Sequence, residues 1–389
     1  MSQVLKLGDV VSVERGTTYK SALLDEPGPV LLGLGSIRRN GGYRSDSLRT
    51  YGGDSPEKLL VRPGQLYASL KDVTQTADLL GAVSRVPAGA PIGRLTQDTV
   101  RLDLKTSEVG ANFVYWMLRT PAYRDYCRSH ATGTTTMGFP REDFFAYEFP
   151  APTARTVSLV ELLDTVEAKI AANERVVDLA DRVAGSHFSS AVGRENEVPL
   201  SSLARFVNGK AFTKNATGAG RVVVRIAELN SGIGQSTVYN DIEVPDDNTA
   251  RPGDLLFAWS GSLTVSRWCR PEAIVNQHIF KVIPNPGVSI WLLNQAVRAK
   301  LEQFKSIAAD KATTMGHIQR HHLDDGVALP DDSSIQKLDG LMKGLWEAAL
   351  AFEVENLTLS QTRDELLPLL TSREFRAKDV PPRAARAVL

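Results

Sequence analysis

A basic loop near the start of the sequence carries the residue types that can read the edges of nucleic-acid bases. Residues 36–44, Ser-Ile-Arg-Arg-Asn-Gly-Gly-Tyr-Arg, place guanidinium, amide and phenol groups around two glycines. An arginine fork matches two acceptors on guanine and an asparagine amide matches adenine, while glycine permits close approach of the backbone. An ordinary solvated turn would use the same residue types. The candidate contacts in this loop are Arg38, Arg39, Asn40, Tyr43 and Arg44.

Hydroxyl, amide, imidazole and ammonium groups also occur in short polar segments of both halves. The triplet 276–278, Asn-Gln-His, stands beside an apolar run, although a satisfied internal polar network would give the same pattern. Thr-Thr-Met-Gly occurs at 135–138 and again at 313–316, and its recurrence suits contact to phosphates better than base specificity. A shared role as turn scaffold would also explain it. The further candidates are Thr17, Tyr19, Lys20, Lys71, Thr135 and Thr136 in the first half, and Lys210, Lys214, Asn215, Ser260, Ser262, Asn276, Gln277, His278, Lys311, Thr313 and Thr314 in the second.

Motifs for catalysis are missing from the sequence. There is no (N/D)PP(Y/F) motif to hold a flipped adenine and no GxxxxGK(S/T) loop for ATP, and Gly33-Leu34-Gly35 lacks the third glycine of a dinucleotide loop. His317, His321, His322 and Asp324 could in principle gather a metal ion, but adjacent histidines point to different faces. We therefore predict no catalytic residues, no cofactor and no metal site.

Composition describes an ordinary folded protein of two or three domains. The 389 residues include 42% hydrophobic residues, and Lys+Arg and Asp+Glu balance at 45 each. A neutral chain does not coat DNA through bulk positive charge, although it can still read DNA locally. No apolar stretch is long enough to span a membrane, the start lacks the features of a secretory signal, and the two cysteines lack CxxC spacing. These features predict a cytoplasmic protein.

The chain repeats itself once. Arg-Pro-Gly-Gln-Leu at 62–66 is followed by Arg-Pro-Gly-Asp-Leu at 251–255, 189 positions later, and the Thr-Thr-Met-Gly segments are 178 positions apart. Landmarks in the same order at an offset of about half the chain indicate domain duplication. Strand-like runs bounded by Gly, Pro, Asn and Asp, with one evident helix near 111–119 and one near 290–304, predict α+β domains with a curved mixed sheet.

Each half ends in a long helical pattern with apolar residues at alternating spacings of three and four, which is typical of a coiled coil. Both patterns contain an asparagine at an otherwise apolar position, which fits either a buried, register-fixing pair or a solvated spot. Two halves related by a pseudo-two-fold axis would set these helices antiparallel between the two domains. At about 1.5 Å per residue they would form a ruler longer than one turn of B-DNA. The main positions of this seam are Leu163, Val166, Ile170, Asn173 and Val177 in the first helix, and Leu345, Phe352, Asn356, Leu359 and Leu366 in the second.

The whole plan resembles the specificity (S) subunits of type I restriction-modification systems. Residues 68–75 and 93–100 resemble one recurrent type of target recognition domain, and residues 259–263 and 274–282 resemble another. The segment 362–374 is similar to the family's usual C-terminal signature, except that Arg373 stands where glycine is common. The resemblance covers nearly the entire chain.

The resemblance implies a non-catalytic reader of double-stranded DNA with an asymmetric bipartite target. Recognition domains are expected at 1–154 and 195–330, spacer helices at 155–194 and 331–375, and a disordered tail at 376–389. Two methyltransferase subunits would dock on the helices, and a motor-nuclease subunit is a further partner that the family uses. Two alternatives stay open: the DNA-reading subunit of another methylation-based phage-defence complex, and a coiled-coil scaffold for protein interactions, which the neutral charge favours.

Overall fold

The structure is a computed structural model that describes residues 3–74, 76–310 and 316–372, without the side chains of 194, 195 and 310. The chain divides into two compact units. One unit contains the residues up to Ala168 together with those from Leu359 onward, and the other contains Lys169–Thr358. The predicted limits of the recognition domains and the spacer helices stay predictions.

The globular part of the first half is built on an antiparallel four-stranded sheet and a small mixed sheet. The strand order is β2-β9-β5-β7 in the first and β3-β8-β4 in the second, where β3 and β8 are parallel. The elements in chain order are β1 (Val4–Lys6), α1 (Leu7–Val10), β2 (Val11–Arg15), β3 (Val30–Leu32), β4 (Leu60–Val61), β5 (Leu66–Ser69), β6 (Lys71–Asp72), β7 (Val83–Arg85), β8 (Gly93–Leu95), β9 (Thr99–Leu104), α2 (Ala111–Met117), α3 (Pro121–Ser129), β10 (Met137–Gly138), α4 (Arg141–Ala146) and β11 (Glu148–Pro150).

The second half starts with the long helix α5 and repeats the same plan. Its antiparallel sheet has the order β13-β20-β17-β18, and its mixed sheet has the order β15-β14-β19-β16 with β14 and β19 parallel. The elements are α5 (Ala154–Ala191), β12 (Val192–Pro199), β13 (Ala204–Asn208), β14 (Arg221–Val224), α6 (Ile226–Ser231), β15 (Tyr239–Asn240), β16 (Thr249–Ala250), β17 (Leu255–Ala258), β18 (Thr264–Arg267), β19 (Ala273–Val275), β20 (Ile279–Pro284), α7 (Ile290–Asp310), β21 (Gly326–Pro330) and α8 (Asp332–Leu366).

The repeated Arg-Pro-Gly motifs form the same turn in both halves. Gly64 and Gly253 both adopt the left-handed region, with φ of 86° and 93°, which glycine reaches without strain. The side chain three residues after the arginine accepts a hydrogen bond from the arginine backbone N–H in each turn, at 2.7 Å from Gln65 Oε1 to Arg62 N and at 2.7 Å from Asp254 Oδ2 to Arg251 N. The exchange of Gln for Asp therefore preserves the turn. The predicted duplication of an α+β domain is confirmed.

The two long helices are antiparallel, and their predicted seam is the buried face. Leu163, Val166, Ile170, Leu359 and Leu366 are buried, and Val177, Leu345, Phe352 and Asn356 are half-buried. Proline is absent from α5, so nothing interrupts its backbone hydrogen bonds, and α8 ends two residues before Pro368. The predicted pair of long antiparallel helices is confirmed.

The two seam asparagines contact each other. Asn173 is 2% exposed, and its Nδ2 donates to Asn356 Oδ1 at 2.9 Å and to Glu355 Oε2 at 2.7 Å. Asn356 Nδ2 in turn donates to the carbonyl oxygen of Ile170 at 3.3 Å. Asn173 is therefore a buried, paired seam residue and not a solvated spot.

Each unit has a core to which both long helices contribute. In the first unit, Trp116 of α2 packs in one buried cluster with Leu163 of α5 and Leu366 of α8. In the second, Trp291 of α7 shares a cluster with Phe188 of α5. Within the described residues, no helix combines the length and apolarity needed to cross a membrane.

The sequence analysis found one evident helix in each globular half, and the structure adds the short helices α1, α4 and α6 and the nine-residue helix α3. The sequence signal of α3 was present, because Thr120 caps the helix by accepting a hydrogen bond from the Tyr123 N–H, and Pro121 occupies the first turn. The helix is short and mostly polar, so its sequence resembles a loop unless these capping residues are considered.

Candidate nucleic-acid interface

In the first unit, a loop at the end of β2 lies against the turn between β8 and β9. The Gly16 N–H donates to the Thr99 carbonyl at 3.1 Å, and a Cβ at Gly16 would overlap the carbonyl oxygen of Thr96. Arg94 is buried and donates to Thr17 Oγ1 at 3.1 Å. This close approach leaves the predicted residues Thr17, Tyr19 and Lys20 exposed at the end of the sheet.

The same end of the sheet carries Lys71 and the Thr-Thr-Met-Gly segment. Lys71 Nζ lies 2.9 Å from Asp98 Oδ1, and Asp98 belongs to the turn that holds the Thr17 loop. Strand β10, the last two residues of the motif, pairs antiparallel with β6 and places Gly138 opposite Lys71. Thr135 and Thr136 directly precede that strand and are exposed. The structure thus brings Thr17, Lys71 and the two threonines to one edge.

The basic loop at 36–44 is a tight turn closed by the pairing of Ile37 with Tyr43. Asn40, Gly41 and Gly42 have φ of 60°, 110° and 107°, a run that explains the two glycines. The Tyr43 hydroxyl is buried, and burial raises the pKa of this phenol. The Asn40 N–H donates to the Asp78 carbonyl at 2.8 Å, which ties the loop to the segment that follows β6.

The three arginine side chains of this loop are exposed, and each contacts a carbonyl or carboxylate oxygen. Arg38 Nε donates to the Tyr43 carbonyl at 2.9 Å, and Arg39 Nε lies 3.9 Å from a carboxylate oxygen of Asp78. Arg44 forms a two-point ion pair with Asp46 at 2.6 and 2.8 Å, and its hydrogen bonds hold the pKa of Asp46 below its ordinary value. Exposed ion pairs contribute about 0–1 kcal/mol, so a phosphate or base can replace the carboxylate at little cost.

The second unit repeats this edge with different side chains. The Gly209 N–H donates to the Ile279 carbonyl at 3.0 Å, and Lys210 pairs with Asn276 as Thr17 pairs with Thr96. Ser260 pairs with His317 just after the second Thr-Thr-Met-Gly motif. The predicted residues Lys210, Lys214, Asn215 and Ser262 are exposed, Gln277 and His278 are half-buried, Ser260 and Asn276 are buried, and Lys311, Thr313 and Thr314 lie outside the described residues.

Trp259, which the site prediction omitted, lies at the centre of the second edge. Its indole N–H donates to Asn208 Oδ1 at 2.9 Å, and the centre of its ring lies 5.6 Å from that of His278 and 6.3 Å from that of His317. An aromatic residue directly before Ser-Gly-Ser was the signal that could have found it. Aromatic rings beside polar groups are suited to contact with nucleic-acid bases.

Three buried polar atoms of the second edge have no hydrogen-bond partner in the part of the chain that the structure describes: Ser260 Oγ, Asn276 Oδ1 and His278 Nδ1. Each buried, unpartnered polar group costs about 1–3 kcal/mol, and most such groups in native proteins bind water or a ligand. The sequence left open whether the triplet 276–278 is a satisfied internal network. Gln277 Nε2 and His278 Nε2 lie 3.1 Å apart in hydrogen-bond contact, so part of such a network is present beside the unpartnered atoms.

Among the described residues, no group of three or more His, Cys, Asp or Glu side chains could hold a metal ion. The candidate site offers hydrogen-bonding groups, cations and aromatic surface, which can bind and orient a polyanion.

No protein-family model and no curated protein sequence matches this chain. A solved structure of a type I restriction-modification system S subunit from M. genitalium is 14% identical, covers 96% of this chain and 97% of its own, and has a TM-score of 0.57. The HsdS subunit from Thermoanaerobacter tengcongensis is 13% identical and covers 96% of this chain and 97% of its own, but its TM-score of 0.33 is too low to support an argument. The chain therefore has the fold of a type I restriction-modification S subunit over nearly its whole length.

Proposed function

We propose that this chain is the non-catalytic DNA-specificity subunit of a type I restriction-modification complex. The observation that carries the proposal is the duplicated loop edge: the same backbone pairings, Thr17 with Thr96 and Lys210 with Asn276, carry different side chains in the two halves. Equal scaffolds with unequal loops suit two recognition domains that each read one half of an asymmetric site. Contacts to phosphates would position each domain, and side chains of the loops would select the bases.

The long helices would dock two methyltransferase subunits, and the methyl transfer and any ATP-driven cleavage would belong to those partners and to a motor-nuclease subunit. The chain has no net charge, so it releases few counterions when it binds DNA alone. We therefore expect weak binding by the isolated chain and tight binding by the complex. No cofactor is assigned to this chain.

The experiment that tests the proposal is single-molecule mapping of methylated adenines in cells that express this chain with a methyltransferase of the same genome. Cells that lack this chain are the control. A two-part asymmetric motif that disappears in the control supports the proposal. Unchanged methylation despite formation of the complex would favour the coiled-coil scaffold instead.

A second arm replaces residues 36–44 with a neutral loop of equal length. One half-site should change or be lost, while assembly with the methyltransferase and the other half-site persist. Two unchanged half-sites in a complex that still assembles would contradict the assignment of this loop.

A further inference from the structure

In each unit, an arginine at the end of a strand of the antiparallel sheet forms ion pairs with the long helices, in the first unit with α5 and in the second with both α5 and α8. Arg85 ends β7 and pairs with Leu66, and Arg267 ends β18 and pairs with Leu255. Leu66 and Leu255 close the two Arg-Pro-Gly motifs, so the arginines occupy the same position of the repeat. Neither was identified from the sequence, since strand ends with arginine are common.

Arg85 contacts α5 and also the helix α2, where its Nη1 donates to Asn112 Oδ1 at 2.8 Å. Its Nη1 lies 2.9 Å from Asp164 Oδ1 and its Nη2 lies 3.1 Å from Glu167 Oε2, while its guanidinium stacks over the ring of Tyr115 at 4.6 Å. Asp164 is held by a second donor as well, because the Trp116 indole N–H donates to it at 2.8 Å.

Arg267 contacts both long helices with one guanidinium. It donates to the two oxygens of Glu353 on α8 at 2.8 and 3.1 Å, and its Nη1 lies 3.4 Å from Asp181 on α5. The group also stacks over the ring of Trp346 at 4.6 Å, and the side chain is only 3% exposed. One buried cation thus joins the sheet of the second domain, α5 and α8.

Such a contact constrains geometry more than apolar packing does. Hydrophobic burial is non-directional, so it holds a domain on a helix pair without choosing one angle. A planar guanidinium with a two-point carboxylate pair accepts a narrow range of distances and orientations. The apolar core holds the second domain on the two helices, and the arginine restricts the orientation of the domain relative to them.

We propose that Arg267 is a positioning residue that fixes the orientation of the second recognition domain on the helix pair and so restricts the spacing between the two half-sites that the complex accepts. This inference rests on the proposed function. It makes the accepted spacer a property of the domain-to-helix contact and not of helix length alone.

The test uses the complete complex of this chain with its methyltransferase subunits and a panel of DNAs. The panel keeps both half-sites and changes the spacer in single base-pair steps, and the rate of methylation is measured on each DNA. In Arg267→Met, the preference for the native spacer over its nearest neighbours should fall at least about tenfold, which corresponds to about 1.4 kcal/mol. The base preference within each half-site should not change.

Arg251→Met is the matched control. Arg251 forms ion pairs with Asp246 at 2.8 Å and with Glu272 at 3.2 Å, both within the second domain, and its side chain is 48% exposed. The same change of charge at this position should leave the spacer preference as it is in the wild-type complex.

If Arg267→Met does not fold, Glu353→Gln removes one charge of the same contact and keeps the guanidinium and its stacking on Trp346, and Arg267→Lys should restore part of the preference. A folded variant that keeps the wild-type spacer preference, or that loses activity equally at all spacers, overturns the inference. A wild-type complex that methylates no two-part site would instead overturn the proposed function.

Discussion

Replacing Glu167 with glutamine should destabilise the first unit strongly, because this carboxylate neutralises a buried arginine. Glu167 on α5 forms an ion pair with Arg119, whose side chain is 7% exposed, and it accepts a hydrogen bond from the Tyr115 hydroxyl at 2.8 Å. Arg85 contacts it at 3.1 Å. The glutamine preserves the shape and one acceptor oxygen but removes the carboxylate that pairs directly with the guanidinium of Arg119.

The expected cost follows from the burial of the two groups. Removing one partner of a buried ion pair costs about 3–5 kcal/mol. Glu167 is 24% exposed, and stacking of Arg119 over Tyr115 and Trp116 remains, so the lower end of the range, about 3 kcal/mol, applies. For a unit of this size, that cost lowers the Tm by about 6–12 °C.

Differential scanning calorimetry of the wild type and the variant measures this change in Tm. Asp125→Asn is the matched control, since Asp125 pairs with Arg128 at 2.9 Å but is 75% exposed. Its cost should be below about 1 kcal/mol. A loss below about 1 kcal/mol in Glu167→Gln, equal to that of the control, would refute the reasoning that a buried charge cluster fastens the first domain to α5.

Three further predictions concern single residues. Burial would raise the pKa of Glu228, but its hydrogen bonds from Arg225 hold it below the ordinary 4.5. The Glu228 carboxylate should therefore contribute its full stabilisation of the folded state above pH 4.5, and this contribution should be lost as the pH falls through the lower folded pKa. If the unfolding free energies of wild type and Glu228→Gln fall in parallel with decreasing pH, this prediction is wrong. Gly16→Ala and Gly209→Ala should each cost several-fold in soluble yield or about 2–4 kcal/mol of unfolding free energy, because the new Cβ meets backbone that cannot move aside; wild-type melting curves would exclude the close approach. Asn173→Ala should cost about 1–3 kcal/mol in chemical denaturation by leaving Asn356 without its donor, whereas equal stability would mean that water replaces it freely.

Much of the architecture was readable from local pattern. The seam of α5 and α8 appears as a three-four spacing because an α-helix buries one stripe, and every predicted seam position named here is buried or half-buried. The Arg-Pro-Gly turns were visible because left-handed glycine has few substitutes. The candidate loop 36–44 could also be recognised from the sequence, because its arginines and glycines follow one another directly in the chain.

The contacts that decide the site were not readable in this way. Arg85 and Arg267 are the last residues of their strands and Trp259 directly follows one. Their residue types are common at such positions, and their contacts come from residues far along the chain. Arg267 meets Glu353 and Asp181, which belong to two different helices. The exposure of Thr17 and the burial of Asn276 likewise depend on tertiary contacts, in which Thr17 pairs with Thr96 and Lys210 pairs with Asn276.

Periodicity and turn chemistry are local properties, so the amino-acid order was enough to establish the duplication, the two long helices and the polar loops. The pairing of the Thr17 loop with the Thr96 turn, the contact of Asn173 with Asn356 and the three-way contact of Arg267 required the folded chain. Such contacts join residues that are tens to hundreds of positions apart, and their energies depend on burial and distance, which no window of sequence contains.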